Sequence, residues 1–232
     1  MIVAIHQPSY WPWLGLLDKI AKSDVFVVLD TVQLNKDSYQ RRNVFSAAGK
    51  KKYLTVPIDY HLGVKINEVH IKDPDFPAKH IETIRNWYLK SDFFEETMDL
   101  IRPLYQQRYE KLIDIVTASL FVSLEVFGIT CRVMYASKLA APGSKGSLVL
   151  NICKMLGADV YLSGRGALEY FQEDDYEAFR MAGIDLAFQE FQHPVYPQFN
   201  TAEFLPGLGC LDMLFNCGVA KSRHIFQKNL KG

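Results

Sequence analysis

Three residues of this chain combine proton-moving chemistry with places where a strand end or loop would present them: His6, Asp30 and His193. An imidazole titrates near physiological pH. His6, set between an apolar run and Gln7-Pro8, either takes a proton from an attacking group, donates to a phosphate oxygen, or fixes the loop through a backbone hydrogen bond. Asp30 closes the apolar run Val25 to Leu29. Its carboxylate binds a sugar hydroxyl, acts as a base, joins magnesium and phosphate, or caps a turn. His193 is flanked by Gln192 and Pro194 and is either a proton carrier facing His6 across a cleft or an anchor of the tail loop.

A second group has the chemistry of ligand recognition. Arg41 and Arg42, followed by Asn43, place planar forks of donors side by side, suited to phosphate or carboxylate, or else to a surface ion pair. In Gly143-Ser144-Lys145-Gly146-Ser147 the donors of a helix start and Lys145 suit phosphate, while Ser147 is a ligand-binding hydroxyl or simply a helix cap. Ser163-Gly164-Arg165-Gly166 directly follows an expected strand, where glycines permit close backbone approach and Arg165 supplies an anion contact. Gln7 can orient a carbonyl or amide, and Gln33 and Asn35 follow Asp30 closely. Tyr10, Trp11 and Trp13, and Tyr196 in the tail, stack on a base or sugar or fill the core.

Other chemistries lack their motifs. No HExxH or paired CxxC element is present, so no metal site is expected, and there is no P-loop or dinucleotide fingerprint. Cys131, Cys153, Cys210 and Cys217 are widely separated. Val3 to Ile5 is too short for a signal core, and no run reaches the roughly 20 apolar residues of a membrane span. The cysteines are therefore expected to be reduced thiols of a cytoplasmic protein. The formal net charge is zero and the basic residues are dispersed, which argues against a nucleic-acid partner and for a small-molecule one.

The elements that must position these residues follow from apolar spacing. Ile2 to Ile5 reads as a strand, and Pro8 and Pro12 forbid an ordinary helix directly after it. From Leu14 the spacing is helical, with Asp18, Lys19 and Lys22 on a face apart from Leu16, Leu17, Ile20 and Ala21. Val25 to Leu29 is a strand covered on both sides, completing a β-α-β unit. Tyr53 to Ile58, interrupted at Pro57, suits an edge strand, and Val64 to Ile71 reads as another strand. Helices are expected over Ala78 to Leu89, Glu95 to Arg108 and Glu110 to Phe127, the last two packing on the sheet or forming a small lobe. Gly128, Gly157 and Gly183 each stand between an apolar helix and a strand, as a left-handed helix stop requires. The strands they introduce are Thr130 to Tyr135, Val160 to Leu162 and Asp185 to Phe188. A short helix over Leu211 to Phe215 closes the chain. The reading is one α/β domain over residues 1–232, with a mostly parallel sheet, flanking helices and a small helical insertion around 78–127. Ligands of such sheets bind outside the carboxyl ends of the strands, where His6 and Asp30 fall.

The segments HQPSYWPWLGLLDKI, FVVLDTVQLNKDSYQRRN, YLSGRGALEYF, HPVYPQF and LDMLFNCG resemble, in this order, the WbqC-like family, and the resemblance covers nearly the whole chain. It implies a place in bacterial surface-polysaccharide (O-antigen-like) biosynthesis, with transfer of glycine or another acyl group to a sugar or nucleotide-sugar as the implied activity. The alternative is a non-catalytic protein of that pathway that binds a nucleotide-sugar or a partner enzyme. ATP and Mg2+ enter as candidate cofactors for an activation step, which the motifs themselves do not specify. A strand, a bend with Trp13-Leu14-Gly15-Leu16, a helix and a strand ending in Asp30 also resembles the opening unit of the Rossmann-like nucleotidyltransferase and adenylate-forming superfamily. Of that group's His-x-Gly-His only Gly15 matches, Trp13 and Leu16 standing in the histidine places.

Overall fold

The computed structural model describes residues 1–166, 171–199 and 201–231. In chain order the elements are β1 (Ile2–His6), α1 (Leu14–Ala21), β2 (Val25–Val28), β3 (Arg42–Ala47), β4 (Lys50–Thr55), α2 (Phe76–Tyr88), α3 (Phe94–Tyr105), α4 (Leu112–Phe127), β5 (Arg132–Tyr135), α5 (Ala136–Leu139), α6 (Lys145–Leu156), β6 (Val160–Ser163), α7 (Glu173–Met181), β7 (Asp185–Phe188) and α8 (Leu211–Asn229). They fall into two compact units.

The first unit comprises Met1–Gln7, Asp18–Thr31 and Thr130–Phe191. Its five strands form one sheet in the order β5-β2-β1-β6-β7, with every pairing parallel. Helices connect the strands, giving the α/β architecture expected from apolar runs alternating with helical spacing. β1 and β2 are central, and Val3, Ala4, Val27 and Val28 have no solvent exposure, which explains their unbroken apolar sequence. The chain adds strands outward from β1 through β2 to β5, then crosses to the other side of β1 for β6 and β7. Strand order thus reverses between β1 and β6, the crevice where open α/β sheets take ligands. Gly128, Gly157 and Gly183 all have left-handed φ values, 66°, 67° and 68°, as the helix-to-strand signature requires. Tyr161 of β6 stacks on Phe179 of α7 at 5.6 Å between ring centroids.

The second unit comprises Pro8–Leu17, Val32–Ile129 and Gln192–Gly232. β3 and β4 form an antiparallel hairpin closed by Ala48 and Gly49, both at positive φ (50° and 70°), the geometry of a two-residue turn matched to strand twist. α2, α3, α4 and α8 supply its apolar packing; Phe215 of α8 stacks on Tyr88 of α2 at 4.4 Å and lies 6.2 Å from Phe94 of α3.

Three local expectations change. Residues Val64 to Ile71 are not a strand: they hold a 3-10 turn, Ile66–Glu68, and isolated bridges such as Ile58 to Ile71. β3 was hidden because four consecutive residues, Asn43 to Ser46, are buried, so no alternation marks it. The closing helix runs far beyond Phe215, to Asn229, through a break at Gly218 (φ 71°, ψ 168°). Among the described residues no helix is long and apolar enough to cross a membrane, and all four cysteines are free thiols.

Candidate functional site

At the carboxyl end of β1 the chain places His6, and at the end of β6 Ser163, Gly164 and Arg165. His6 Nδ1 lies 2.7 Å from the carbonyl oxygen of Gln7. A carbonyl only accepts, so Nδ1 carries the proton and the neutral ring presents its lone pair at Nε2. The His6 residue keeps solvent access, yet scarcity of water around the ring, and secondarily the charge of Lys19, hold its pKa below the ordinary value. At about 3 the ring is neutral at physiological pH, a weak base rather than a cation.

Lys19 is the residue sequence reasoning assigned to the wrong surroundings. The helical spacing separates it from Leu16 and Leu17, but every residue of α1 from Leu14 through Ile20 is buried, and Lys19 is 2% exposed. Its ammonium donates to the Ile5 carbonyl, 3.2 Å away at the end of β1. Burial pushes its pKa down to about 7. Asp18, with no solvent exposure, accepts from Gln189 Nε2 at 2.5 Å and pairs with Lys22 Nζ at 3.0 Å. Two buried charged residues, Asp18 and Lys19, leave no trace in spacing, because tertiary packing decides their burial.

The remaining first-unit candidates support structure. Asp30 is 2% exposed, and its two carboxylate oxygens accept from the Ser137 backbone N–H at 2.9 Å and the Ser137 hydroxyl at 2.6 Å. It thereby caps the first turn of α5, a remote element rather than a turn of its own backbone. Ser147 likewise completes a cap: its hydroxyl donates to the Ser144 carbonyl at 2.7 Å and accepts from the Ser144 N–H at 3.1 Å. A Cβ on Gly146 would overlap the Asp175 carboxylate. The start of α6, read as a phosphate seat with the exposed Lys145, already has an intramolecular carboxylate against it. Ser163 is 1% exposed, its hydroxyl 3.3 Å from the Gly164 carbonyl; Arg165 is exposed. Residues 167–170, the rest of the YLSGRGALEYF motif, lie outside the described residues.

In the second unit, the aromatic bend is core rather than a stacking platform. Tyr10 and Trp11 have no solvent exposure. Trp11 Nε1 donates to Tyr105 Oη at 2.8 Å, Tyr105 and Tyr10 share a short hydroxyl contact, Tyr10 Oη lies 3.0 Å from His80 Nδ1, and His80 Nε2 lies 3.0 Å from the Thr55 carbonyl. The carbonyl fixes the proton on Nε2, so Tyr10 donates to Nδ1 and the chain of bonds is fully satisfied. Burial holds the His80 pKa down at about 4. Trp11 has φ 43°, and Asn43, 1% exposed, clamps the bend by donating to the carbonyls of Tyr10 and Trp11 at 2.9 and 2.7 Å. Trp13 is partly exposed, its indole lying over Gly15, where a Cβ would overlap the ring. Arg41 donates to the carbonyls of Lys36 and Val56 at 2.7 and 3.3 Å, whereas Arg42 bonds the Asp37 carbonyl, pairs with the Asp37 carboxylate at 3.4 Å and stacks on Tyr53 at 4.3 Å. The two arginines tie down the 36–41 loop instead of standing open as an anion clamp. Gln33 is exposed and bridges to Lys65.

The tail residues converge on a carboxylate that sequence reasoning passed over. Asp212 has no solvent exposure; it accepts from Tyr88 Oη at 2.6 Å, Tyr196 Oη at 3.0 Å and Gln198 Nε2 at 3.1 Å. Burial raises its pKa, and the three donors oppose that rise. Tyr196, 4% exposed, is thus a support for Asp212 rather than a ligand contact. His193 Nδ1 donates to the Pro194 carbonyl at 2.9 Å, and its ring lies 5.4 Å from that of Phe204; desolvation lowers its pKa. That hydrogen bond ties the ring to its own loop. The proton-carrier reading paired His193 with His6, which belongs to the other unit. Among the described residues no group of three or more His, Cys, Asp or Glu side chains is arranged to hold a metal ion.

The model of the WbqC-like protein family matches residues 7–224. The chain is also 26% identical over 221 residues to the uncharacterized protein Rv1507c of Mycobacterium tuberculosis, an alignment spanning 93% of this chain and 94% of that relative. No solved structure matches.

Proposed function

The chain belongs to the WbqC-like protein family, associated with polysaccharide biosynthesis, and from that premise we propose a transferase that passes glycine or another acyl group to a sugar or nucleotide-sugar. Its acceptor binds at the carboxyl edge of the five-stranded sheet. The strand order β5-β2-β1-β6-β7 supports a Rossmann-like assignment, whose ligands lie at the point of reversal. The observation that carries the reading is His6: it stands at that point, with Nδ1 bonded to the Gln7 carbonyl and Nε2 left as the basic nitrogen. Nε2 takes the proton from the attacking amine or hydroxyl as it meets the acyl carbon, and returns it to the leaving group. Arg165 contacts the anionic part of the ligand. ATP with Mg2+ would supply activation of the acyl donor if this same protein performs it.

The experiment is mass spectrometry of the purified protein with a panel of nucleotide-sugars and glycine, with and without ATP and Mg2+. A glycyl-sugar product is expected, and His6→Ala should lower its formation on the order of a hundredfold or more. Full turnover by His6→Ala would remove His6 from the mechanism. A retained nucleotide-sugar with no mass change on any acceptor would favour the second reading, a non-catalytic binding protein of the same pathway.

A further inference from the structure

Among the described residues Lys19 is a buried amine without a counter-charge. Among those residues its ammonium has one hydrogen-bond acceptor, the Ile5 carbonyl, and no carboxylate pairs with it. Asp18, its neighbour in sequence, is engaged by Gln189 and Lys22. An ammonium has three donors, and burying it without a partner is costly. The cost of such an arrangement is relieved when the amine gives up its proton or something anionic arrives.

The space for an arriving anion lies across the point of strand reversal. A Cβ built on Gly164 would meet, among the described residues, the Lys19 ammonium alone, at 3.9 Å. Gly164 is not among the residues with positive φ, so its backbone conformation admits any side chain. Among the described residues, what glycine contributes here is room beside the amine. Arg165, next in the chain, adds a second cation with its own fork of donors.

We infer that Lys19, the opening over Gly164 and Arg165 form a subsite for a phosphoryl oxyanion, the diphosphate of a nucleotide-type ligand. The inference deepens the transferase reading and rests on its placement of the ligand at the carboxyl edge of the sheet. A diphosphate has oxygens enough to engage an ammonium and a guanidinium together, whereas one carboxylate has two. His6, neutral at physiological pH, adds no charge here and remains with the reacting group.

The test is isothermal titration of inorganic pyrophosphate and of UDP into the whole protein at pH 8, in buffers of different ionisation enthalpy. Wild-type protein should bind pyrophosphate and take up a substantial fraction of a proton, because Lys19, titrating near 7 when unliganded, is recharged by the anion. Lys19→Met should weaken binding roughly tenfold to a hundredfold, the loss of one charge-assisted bond, and abolish the proton uptake. Gly164→Val, which fills the opening while leaving Lys19 in place, should weaken binding comparably. Tighter binding of UDP than of pyrophosphate supports a nucleotide as the source; equal binding supports a free diphosphate in the same subsite. Wild-type protein that binds neither probe, or equal affinity in Lys19→Met, overturns the subsite. Pyrophosphate binding with these variant effects, but no acyl transfer to any acceptor, would leave the subsite standing and remove the transferase reading instead.

Discussion

Lys19→Met exchanges a buried ammonium, 2% exposed, for an apolar side chain of similar length, and its effect on stability should depend on pH in a defined way. In the unfolded chain the amine keeps its proton up to its ordinary value of 10.5, but in the folded chain only to about 7. Between those values the unfolded state holds more protons, so raising pH favours the folded wild-type protein. Below pH 7 both states are protonated and the penalty is complete: at about 1.4 kcal/mol per pKa unit it is on the order of 4–5 kcal/mol. Methionine removes that penalty but leaves the Ile5 carbonyl without its donor, costing about 1 kcal/mol. The variant should therefore be more stable by roughly 3–4 kcal/mol at pH 6 and by less than about 1 kcal/mol at pH 9.5. Urea unfolding followed by tryptophan fluorescence at several pH values measures the difference directly. Buried cysteines and tyrosines also titrate at high pH, but they are common to both proteins and cancel. A difference that stays constant from pH 6 to 9.5 would refute the displaced amine, and a wild-type protein more stable throughout would refute its burial cost.

Four further outcomes are expected from the second unit. Asn43→Ala, which releases the carbonyls of Tyr10 and Trp11 and the φ 43° bend, should destabilise by about 2–3 kcal/mol in urea. Gly218→Ala would bring a Cβ into Phe93 and Glu96 at φ 71°; a loss of at least about 2 kcal/mol is expected, and one below about 0.5 kcal/mol would show that the α8 break relaxes freely. Asp212→Asn puts an N–H2 group where Tyr88, Tyr196 and Gln198 donate, for a loss of about 2–4 kcal/mol and a lower Tm. His80, ordinarily titrating at 6.5 and held at about 4 in the folded chain, favours folding above pH 6.5; that contribution, about 3 kcal/mol, is lost as pH falls from 6.5 towards 4. His80→Gln should flatten that part of the stability profile relative to wild type.

The first unit was legible because its signals are local. The apolar runs of β1 and β2, the helical spacing from Leu14, and glycines 128, 157 and 183 at left-handed stops specify strand, helix and stop independently of one another. Their agreement is what identifies a parallel α/β sheet. In the second unit the signals are tertiary. β3 is buried on consecutive residues because covering groups lie on both its faces, and α8 runs through Gly218 because Phe93 and Glu96 close over the break. Lys19 fails for a related reason. Spacing reports which residues share a face of α1, but whether that face meets water depends on what is packed over it.

The same distinction separates the motifs that build the molecule from those that leave chemistry exposed. In HPVYPQF and LDMLFNCG, Tyr196 and Gln198 donate to Asp212, Asn216 Nδ2 donates to the Asp212 carbonyl at 2.6 Å, and Asn216 Oδ1 accepts from the Phe199 N–H at 2.5 Å. These residues are engaged with one another, so the motif builds the folded tail. Asn43, Arg41 and Arg42 in the QRRN stretch are engaged in the same sense. At the carboxyl ends of β1 and β6 the balance is different: His6 has used one ring nitrogen, Lys19 one donor, and Gly164 stands where a side chain would cover the amine. The buried ammonium, at several kcal/mol of cost, stands beside a glycine that its backbone does not require, so stability does not account for either.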